Sequence, residues 1–219
     1  MRTDSLADPR SCNAQKDTSD VDKLVYVKLR TPYKIAHPTS YPPTLNAANN
    51  SDHQERIERR VACAQLLRAL LTRVAPAAAA TLRAAPSGQP RLEGWPSLGI
   101  SLSHDGGVAA VAVGVNRPVG IDVQMPPDDL SKRLVQLCLR AQAPAVLLLD
   151  PPARALEFAW IWSVQEACVK CTGAGLAGQP WRVDVPLGAA AGRWRDVGWR
   201  TLRHCSDFPI SCAFGEPAC

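Results

Sequence analysis

The most informative absences in this 219-residue chain are long apolar runs and a strong charge of one sign. No apolar stretch approaches the roughly 18 residues that a membrane-spanning helix needs. Residues 1–20 contain acids and no apolar core, which is not typical of a secretory signal. The net charge is only +5, and the basic residues form no stripe with interleaved aromatics, which disfavours nucleic acid as a partner. We therefore expect a cytoplasmic enzyme or binding protein with no membrane role.

Eight cysteines are present, yet they form no recognisable metal or redox motif. Cys168 and Cys171 make a C-x-x-C pair, and His204 with Cys205 follows downstream. A zinc site needs a second close pair, and a thioredoxin-like site needs a strand-to-helix turn before the motif. Because neither is visible, we expect reduced thiols that pack in the core.

The first two segments of the chain differ in pattern. Residues 1–52 are rich in Ser, Asn, Pro and Thr, and only residues 22–29 alternate like a strand, so we expect a largely irregular segment. Residues 53–125 form the first structured half. It begins with an amphipathic helix from residue 57, whose apolar positions are Ile57, Val61, Ala64, Leu67, Leu71 and Val74. Short strands of a tight antiparallel meander are predicted at 98–103, 107–115 and 118–124.

Residues 126–219 form the predicted second half. A helical region with Leu134, Leu137 and Ala141 as its apolar stripe precedes a long helix over residues 154–171, which ends at a glycine-rich turn. Three strands are predicted to close the chain, at 181–186, 194–203 and 208–214. The order helix, strands, helix, helix, strands indicates an α+β fold with two similar halves, each a long helix on a small antiparallel sheet.

Three short stretches carry residues that could do chemistry: SLSHDGG at 101–107, GIDVQ at 120–124 and WSVQEACVK at 162–170. Each has an ordinary structural interpretation. Asp122 could be the solvent-facing position of an alternating strand. Glu166 and Lys170 could be a common i,i+4 helix pair, which contributes only a few tenths of a kcal/mol.

Together, the three stretches favour a phosphate-handling site. Mg²⁺ prefers oxygen ligands and commonly takes one or two carboxylates plus substrate phosphate, which Asp122 and Glu166 could supply. Lys170, one helical turn beyond Glu166, could meet a phosphate oxygen, and His104 and Arg59 could meet another. Such a set suits displacement at a pyrophosphate, in which a carboxylate takes a proton from an attacking hydroxyl.

SLSHDGG, VGIDVQ and FAWIWSVQEACVK, in that order, resemble the Sfp-type 4′-phosphopantetheinyl transferases. That family reads roughly (F/I)-x-x-SH, then G-(I/V)-D-(I/V)-E, then W-x-x-K-E-A-x-x-K. The upstream SGQPRL resembles its G-K-P segment, and RRVACAQLLRALL resembles its first helix, so the resemblance extends over residues 57–178. It implies the fold of that family, in which a pseudo-twofold axis relates the two halves, and a monomer.

The resemblance also implies an activity: transfer of 4′-phosphopantetheine from coenzyme A to a serine of an acidic acyl or peptidyl carrier protein, with release of adenosine 3′,5′-bisphosphate. Glu166 is the implied base, and Lys170 contacts the pyrophosphate. The implied ligands of Mg²⁺, or of Mn²⁺, are Asp122, Gln124 and Glu166. The implied contacts to the nucleotide end of coenzyme A are Arg59, Gln89, Ser103 and His104. The pathway served, whether for fatty acids, polyketides, nonribosomal peptides or siderophores, stays open.

Three glutamines depart from the family pattern. Gln89 and Gln165 stand where the family has lysine, and Gln124 stands where it commonly has an acid. Loss of two lysines predicts weaker attraction of a polyanionic ligand and a higher KM. The glutamines also motivate an alternative, a degenerate relative that binds coenzyme A or a carrier protein without transfer. A further alternative is a coenzyme-A-binding enzyme with another outcome, such as pyrophosphate hydrolysis.

Basic residues on the helix between GIDVQ and the long helix predict where an acidic carrier protein would dock. They are Lys132, Arg133 and Arg140. Charge complementarity of this kind mainly raises the association rate and makes it salt-dependent.

Overall fold

A computed structural model of the chain describes residues 25–30, 45–78, 82–84 and 88–217. Its helices are α1 (Leu45–Val74), α2 (Lys132–Leu139), α3 (Ala143–Leu147) and α4 (Pro151–Thr172). Its strands are β1 (Val25–Arg30), β2 (Leu82–Ala84), β3 (Pro90–Leu92), β4 (Leu98–Asp105), β5 (Val108–Val115), β6 (Val119–Val123), β7 (Ala191–Trp194), β8 (Val197–Thr201) and β9 (Ile210–Phe214). No helix of the described residues is long and apolar enough to cross a membrane.

All strand pairs are antiparallel, and they form two main sheets. Sheet I has the strand order β1-β5-β4, and sheet II has the order β6-β9-β8-β7. Strands β2 and β3 make a separate two-stranded ribbon. The predicted mixture of helices and antiparallel sheets is thus confirmed, while the twofold relation between the halves stays a prediction.

Three apolar layers hold these elements together. α1 packs on sheet I through Leu66, Leu67 and Leu70, and α4 packs on sheet II through residues such as Ile161 and Val164. A third cluster joins the two sheets face to face, with residues of β5, β6 and β9. Because each helix covers the outer face of one sheet, the strands β5, β6 and β9 are buried on both faces, as their nearly continuous apolar sequences require.

Strand β6 does not continue the β4–β5 hairpin as the predicted meander would require. It pairs with β9 in sheet II instead. The facing residues Gly99 and Gly114 lie under the carbonyl of Arg117, where a Cβ on either glycine would overlap that oxygen. The chain therefore crosses the end of sheet I over two glycines, and β6 stacks against that sheet.

The boundaries of α4 follow from its caps. Asp150 accepts a hydrogen bond from the Ala153 N–H at 3.0 Å, and two prolines fill the first helical positions, where no N–H donor is needed. Gly173 ends the helix at φ 71°, a left-handed conformation that glycine adopts without strain. The predicted glycine cap is confirmed, and the helix begins at Pro151, earlier than the predicted residue 154.

The apolar stripe predicted for α1 divides between two environments. Leu67 and Leu71 are buried in the core, whereas Ile57, Val61 and Ala64 are exposed. The helix also begins at Leu45, well before the predicted residue 57. The prediction that Ile57, Val61 and Ala64 belong to the buried face of the helix was therefore wrong.

Two further predictions in the second half were wrong. In α2 the buried residues are Val135 and Leu139, while Leu134 and Leu137 are 40% and 59% exposed. Residues 181–186 form no strand: a short 3₁₀ turn at Pro180–Arg182 is followed by irregular chain. Val183 and Val185 are both buried, and their alternation with less buried residues resembles a strand pattern although this segment forms no strand.

Candidate active site

A cavity of about 830 Å³ lies where α1, β4, β6 and α4 meet. α1 contributes a mostly apolar wall, which includes Val61, Cys63 and Ala64. The opposite side is polar, with Ser103, His104 and Asp105 from β4, Asp122 and Gln124 at β6, and Glu166 and Lys170 from α4. The three stretches singled out in the sequence therefore line one cavity.

Three of the side chains that line the cavity form a hydrogen-bonded group. Lys170 Nζ donates to Asp122 Oδ1 at 2.6 Å and to Ser103 Oγ at 3.0 Å. Ser103 Oγ donates to Asp122 Oδ1 at 2.8 Å. Both bonds to Asp122 end on Oδ1, which leaves Oδ2 as the oxygen that could bind a cation.

Strand β4 holds β6 through serine side chains. Ser101 Oγ accepts a hydrogen bond from the Ile121 N–H at 3.0 Å, and Ser103 Oγ accepts one from the Val123 N–H at 3.2 Å. The N–H groups of Ile121 and Val123 lie on the edge of β6 that is not paired with β9, and the two serine hydroxyls satisfy them. The SLS sequence thus sets the register between the two sheets and places Asp122 beside Ser103.

Gly120 allows α4 to approach β6 closely enough to form the site. A Cβ at this position would overlap the carbonyl oxygen of Ala167, which lies between Glu166 and Lys170 along the helix. Only a residue without a side chain fits there. The glycine of GIDVQ therefore brings the two charged residues of α4 over Asp122.

Asp122 is buried, so its interpretation as a solvent-facing strand residue was wrong. Burial raises its pKa, and the neighbouring Lys170 ammonium opposes that shift. Burial also raises the pKa of Glu166, repulsion from Asp122 adds to the rise, and Lys170 again opposes it. Two carboxylates that repel one another in one cavity are a suitable setting for a divalent cation.

His104 lies on the rim of the cavity beside cationic groups. Partial desolvation and the positive charge of Arg59 lower its pKa, with a smaller contribution from Lys170. Arg60 lines the cavity, whereas Arg59 does not and acts on His104 through its charge. The predicted phosphate contact of Arg59 stays a prediction, and the arginine that lines the cavity is the next residue along α1.

Asp105 is a cavity residue that the sequence reasoning did not assign. Its Oδ2 accepts hydrogen bonds from the Met125 N–H at 2.6 Å and from Gln124 Nε2 at 3.4 Å. Its position directly after His104 in SLSHDGG was the available signal, but a turn aspartate has many ordinary uses.

The two glutamines that stand in place of lysines do not line the cavity. Gln89 Nε2 donates to the Lys170 carbonyl at 3.4 Å, at the C-terminal end of α4, and its role as a cofactor contact stays a prediction. Gln165 is 1% exposed and donates to the carbonyls of Cys138 and Val183 at 3.1 and 3.0 Å. Gln165 therefore ties α4 to α2 and to the chain at Val183, and the effect on KM of a glutamine in place of lysine stays a prediction.

The cysteines behave mainly as packing residues. Cys63, Cys138, Cys168, Cys171 and Cys212 carry free thiols. Burial raises the pKa of Cys171 to about 12, so its thiol stays protonated. Cys205 is disulfide-bonded, which corrects the expectation that all the thiols are reduced. Among the described residues, no group of three or more His, Cys, Asp or Glu side chains could hold a metal ion, so Asp122 and Glu166 would need further ligands.

Comparison with known proteins gives one result that bears on this site. No curated protein matches the chain. The family model of the 4′-phosphopantetheinyl transferase superfamily, ACPS, matches residues 118–209, a region that contains Asp122, Glu166 and Lys170. Residues 118–209, somewhat less than half of the chain, are thus similar to the 4′-phosphopantetheinyl transferase superfamily.

Proposed function

We propose that this protein is an Sfp-type transferase that moves 4′-phosphopantetheine from coenzyme A to a serine of an acyl or peptidyl carrier protein. The observation that carries the proposal is the convergence of Asp122, Glu166 and Lys170 with His104 in a cavity of about 830 Å³. Ligand sites of small molecules commonly measure about 300–1,000 Å³. The pairs α1 with sheet I and α4 with sheet II support the two-half architecture as part of this proposal.

The cations of the cavity match the charge of coenzyme A. Lys170 and Arg60 line it, and Arg59 acts on His104 from nearby. Because the pKa of His104 is lowered, its ring is mostly neutral near pH 7 and offers an N–H donor to a nucleotide phosphate. The Lys170 ammonium makes three contacts, of which the 3.3 Å bond to the Ile121 carbonyl is the longest. We expect this bond to be exchanged for a pyrophosphate oxygen.

The oxygen atoms in the cavity fit a hard divalent cation, Mg²⁺ or Mn²⁺. Asp122 Oδ2, Glu166 and the amide oxygen of Gln124 would hold it, together with phosphate oxygens of coenzyme A. Burial chiefly raises the pKa of Glu166, and repulsion from Asp122 adds to the rise; a cation would relieve that repulsion. When bound, the cation neutralises the charge that develops on the departing phosphate.

Glu166 has the properties of a general base. Its raised pKa brings it closer to neutral pH, where a base is both largely ionised and strong enough to accept a proton. In the proposed reaction Glu166 takes the proton of the carrier serine, the serine oxygen forms a bond to the β-phosphorus, and the pyrophosphate P–O bond breaks. Adenosine 3′,5′-bisphosphate leaves with the bonding electrons, and Lys170 compensates the charge on the leaving phosphate.

The exposed face of α2 suits an acidic carrier protein. It presents Lys132, Arg133 and Arg140, all exposed, beside the exposed Leu134 and Leu137. The C-terminal end of α2 lies next to the catalytic helix, since the Cys138 carbonyl accepts a bond from Gln165. Glu166 is close enough to add to the rise in the pKa of Cys138, which burial chiefly causes. A carrier docked on α2 would therefore present its serine near Glu166.

Intact mass of an apo carrier protein after incubation with this chain, coenzyme A and Mg²⁺ tests the proposal. We expect a phosphopantetheine-sized gain in mass that requires the cation and disappears with Glu166→Gln. Coenzyme A binding with no gain for several carrier proteins would favour a binding protein without transfer. Cleaved coenzyme A with an unmodified carrier would favour pyrophosphate hydrolysis.

A further inference from the structure

Two acceptors at the edge of the cavity hold the side chain of Gln124. Its Nε2 donates to the Met125 carbonyl at 3.0 Å and to Asp105 Oδ2 at 3.4 Å. Asp105 Oδ2 also accepts the Met125 N–H at 2.6 Å. The backbone of Met125 thus fixes the Asp105 carboxylate, and the carboxylate in turn fixes the amide of Gln124.

These contacts determine which end of the amide faces the cavity. A carboxamide has one donor end and one acceptor end. Both groups around Nε2 are acceptors, so a reversed amide would set its oxygen against two other oxygens with no hydrogen between them. The Gln124 amide therefore keeps its nitrogen on Asp105 and leaves Oε1 as the end available to the cavity, which Gln124 and Asp105 line together with Asp122 and Glu166.

The charge balance of the cavity favours a neutral residue at this position. Asp105, Asp122 and Glu166 already bring three carboxylates to a cavity whose lining lysine and arginine are Lys170 and Arg60. A glutamate at position 124 would add a fourth carboxylate and would lose the donor that faces Asp105 at 3.4 Å. Like charges at such a distance repel strongly where water is partly excluded. Glutamine is thus the side chain that matches Asp105.

We propose that Asp105 is a positioning residue that turns the Gln124 amide oxygen toward the divalent cation, so that an Asp105–Gln124 pair replaces an acidic ligand. This inference rests on the proposed function, because it needs the cation site formed by Asp122 and Glu166. It implies that the glutamine is a matched part of this site and that an acid placed there alone impairs cation binding.

A double-mutant cycle with Mn²⁺ as the probe tests this inference. Binding is measured by the electron paramagnetic resonance signal of free Mn²⁺, on the full chain with saturating coenzyme A. Gln124→Glu alone should weaken Mn²⁺ binding about tenfold, since outer contacts to metal ligands typically matter by about 10–100-fold. Gln124→Glu combined with Asp105→Asn should restore binding to within about threefold. The reason is that the pair is then reversed, with an amide donor at position 105 and a carboxylate acceptor at position 124.

Asp128→Asn is a matched control, because this exposed carboxylate lies a few residues beyond Gln124, and it should leave Mn²⁺ binding unchanged. Thermal melting of each variant separates loss of folding from loss of binding. If Gln124→Glu tightens Mn²⁺ binding equally in both backgrounds, Asp105 does not position the amide and the inference is wrong. If the wild-type chain binds no Mn²⁺, both the inference and the proposed cation site are wrong. If the Mn²⁺ affinities follow the predicted double-mutant cycle but the chain transfers no phosphopantetheine, the proposed function is wrong and the inference stands.

Discussion

The two long helices of this protein do different work although each covers one sheet. α1 buries one apolar face on sheet I and exposes the other. α4 is buried on most of its surface and carries buried polar residues, among them Glu157, Ser163 and Gln165. α1 therefore acts as a wall of the cavity, whereas α4 is fixed in position by polar contacts on several sides and can hold charged groups accurately over β6.

The polar contacts of α4 illustrate how it is fixed. Glu157 accepts hydrogen bonds from Arg203 at 2.7 Å and from the Gly188 N–H at 2.8 Å, and the Arg203 guanidinium stacks on Trp160. Ser163 shares a hydrogen bond of 2.7 Å with Ser211 of β9. Precise placement of catalytic groups requires such support, because small displacements cost large factors in rate.

The strongest test of the comparison removes the carboxylate of Glu166. Glu166→Gln should lower the transfer rate about a thousandfold, in the range that general bases contribute, while coenzyme A binding changes little. Single-turnover mass analysis gives the rate, and calorimetry gives the binding. The counterpart on α1, Glu58→Gln, should keep the rate within about twofold, because Glu58 does not line the cavity. Near-normal turnover of Glu166→Gln would contradict its role as base.

The close approach of α4 to β6 is tested by Gly120→Ala. The added methyl overlaps the Ala167 carbonyl, and we expect a loss of about 3 kcal/mol in the free energy of unfolding, at the upper end of overpacking effects. Urea denaturation measures it. Gly88→Ala is the control, because a Cβ there meets nothing within 4 Å and only its φ of 83° is unfavourable, which costs about 1 kcal/mol. If both variants lose the same free energy of unfolding, α4 can move away from β6 to make room for the added methyl group.

Gln→Lys substitutions on the two helices distinguish a structural from a ligand-binding glutamine. Gln165→Lys restores the lysine of the family pattern, yet it places a charge at a 1% exposed site and should cost about 2 kcal/mol of stability. The affinity for coenzyme A should not improve. Gln65→Lys on the exposed side of α1 should change stability by less than about 0.5 kcal/mol. A lower KM for Gln165→Lys would show that this side chain does reach the ligand.

Charge reversal compares α2 with α1 as docking surfaces. Lys132→Glu with Arg133→Glu should lower kcat/KM for an acidic carrier about tenfold at low salt and less at high salt. The same reversal at the exposed Arg68 and Arg73 of α1 should have little effect. The measurement is kcat/KM of each variant at several ionic strengths. If both pairs of substitutions lower kcat/KM equally, α2 is not the specific docking surface.

The smallest expected effect is a shift in the pH dependence of the transfer rate. A base acts only when ionised, so activity falls as pH decreases through the pKa of Glu166 in the folded enzyme. Burial and repulsion from Asp122 raise that pKa, and therefore the acidic limb of the rate profile should lie at higher pH than for an ordinary glutamate. Glu166→Asp should keep such a limb at a lower rate. An acidic limb near the pKa of about 4.3 of an ordinary glutamate would show that Glu166 is not desolvated during catalysis.

Much of the site was predictable because its residues lie in short local patterns. The i,i+4 spacing of Glu166 and Lys170 on a helix follows from local geometry, and the residue types in SLSHDGG and GIDVQ single out those two stretches. The strands β4 and β5 and the glycine cap of α4 were also predicted correctly. Such features depend on a few neighbouring residues and need no knowledge of the fold.

The errors in the candidate site and its surroundings concern partners that are distant in the chain. The local pattern predicts Leu134 and Leu137 in the apolar stripe of α2, whereas packing of α2 on α4 buries Val135 and Leu139. The motif does not reveal that Gln165 donates to two backbone carbonyls of distant segments, at Cys138 and Val183. The unforeseen contact between Asp105 and Gln124 likewise joins two segments that belong to different sheets.

By itself, the sequence determined the local elements of this protein and the chemical types available to its site, since helical and strand periodicity is a property of neighbouring residues. Contacts between distant segments determine which face of α2 is exposed, that β6 pairs with β9 in sheet II, and that Lys170 Nζ lies 2.6 Å from Asp122 Oδ1. The physical reason is that burial and electrostatic neighbours arise when distant segments pack, and those contacts set the pKa values on which the proposed chemistry depends.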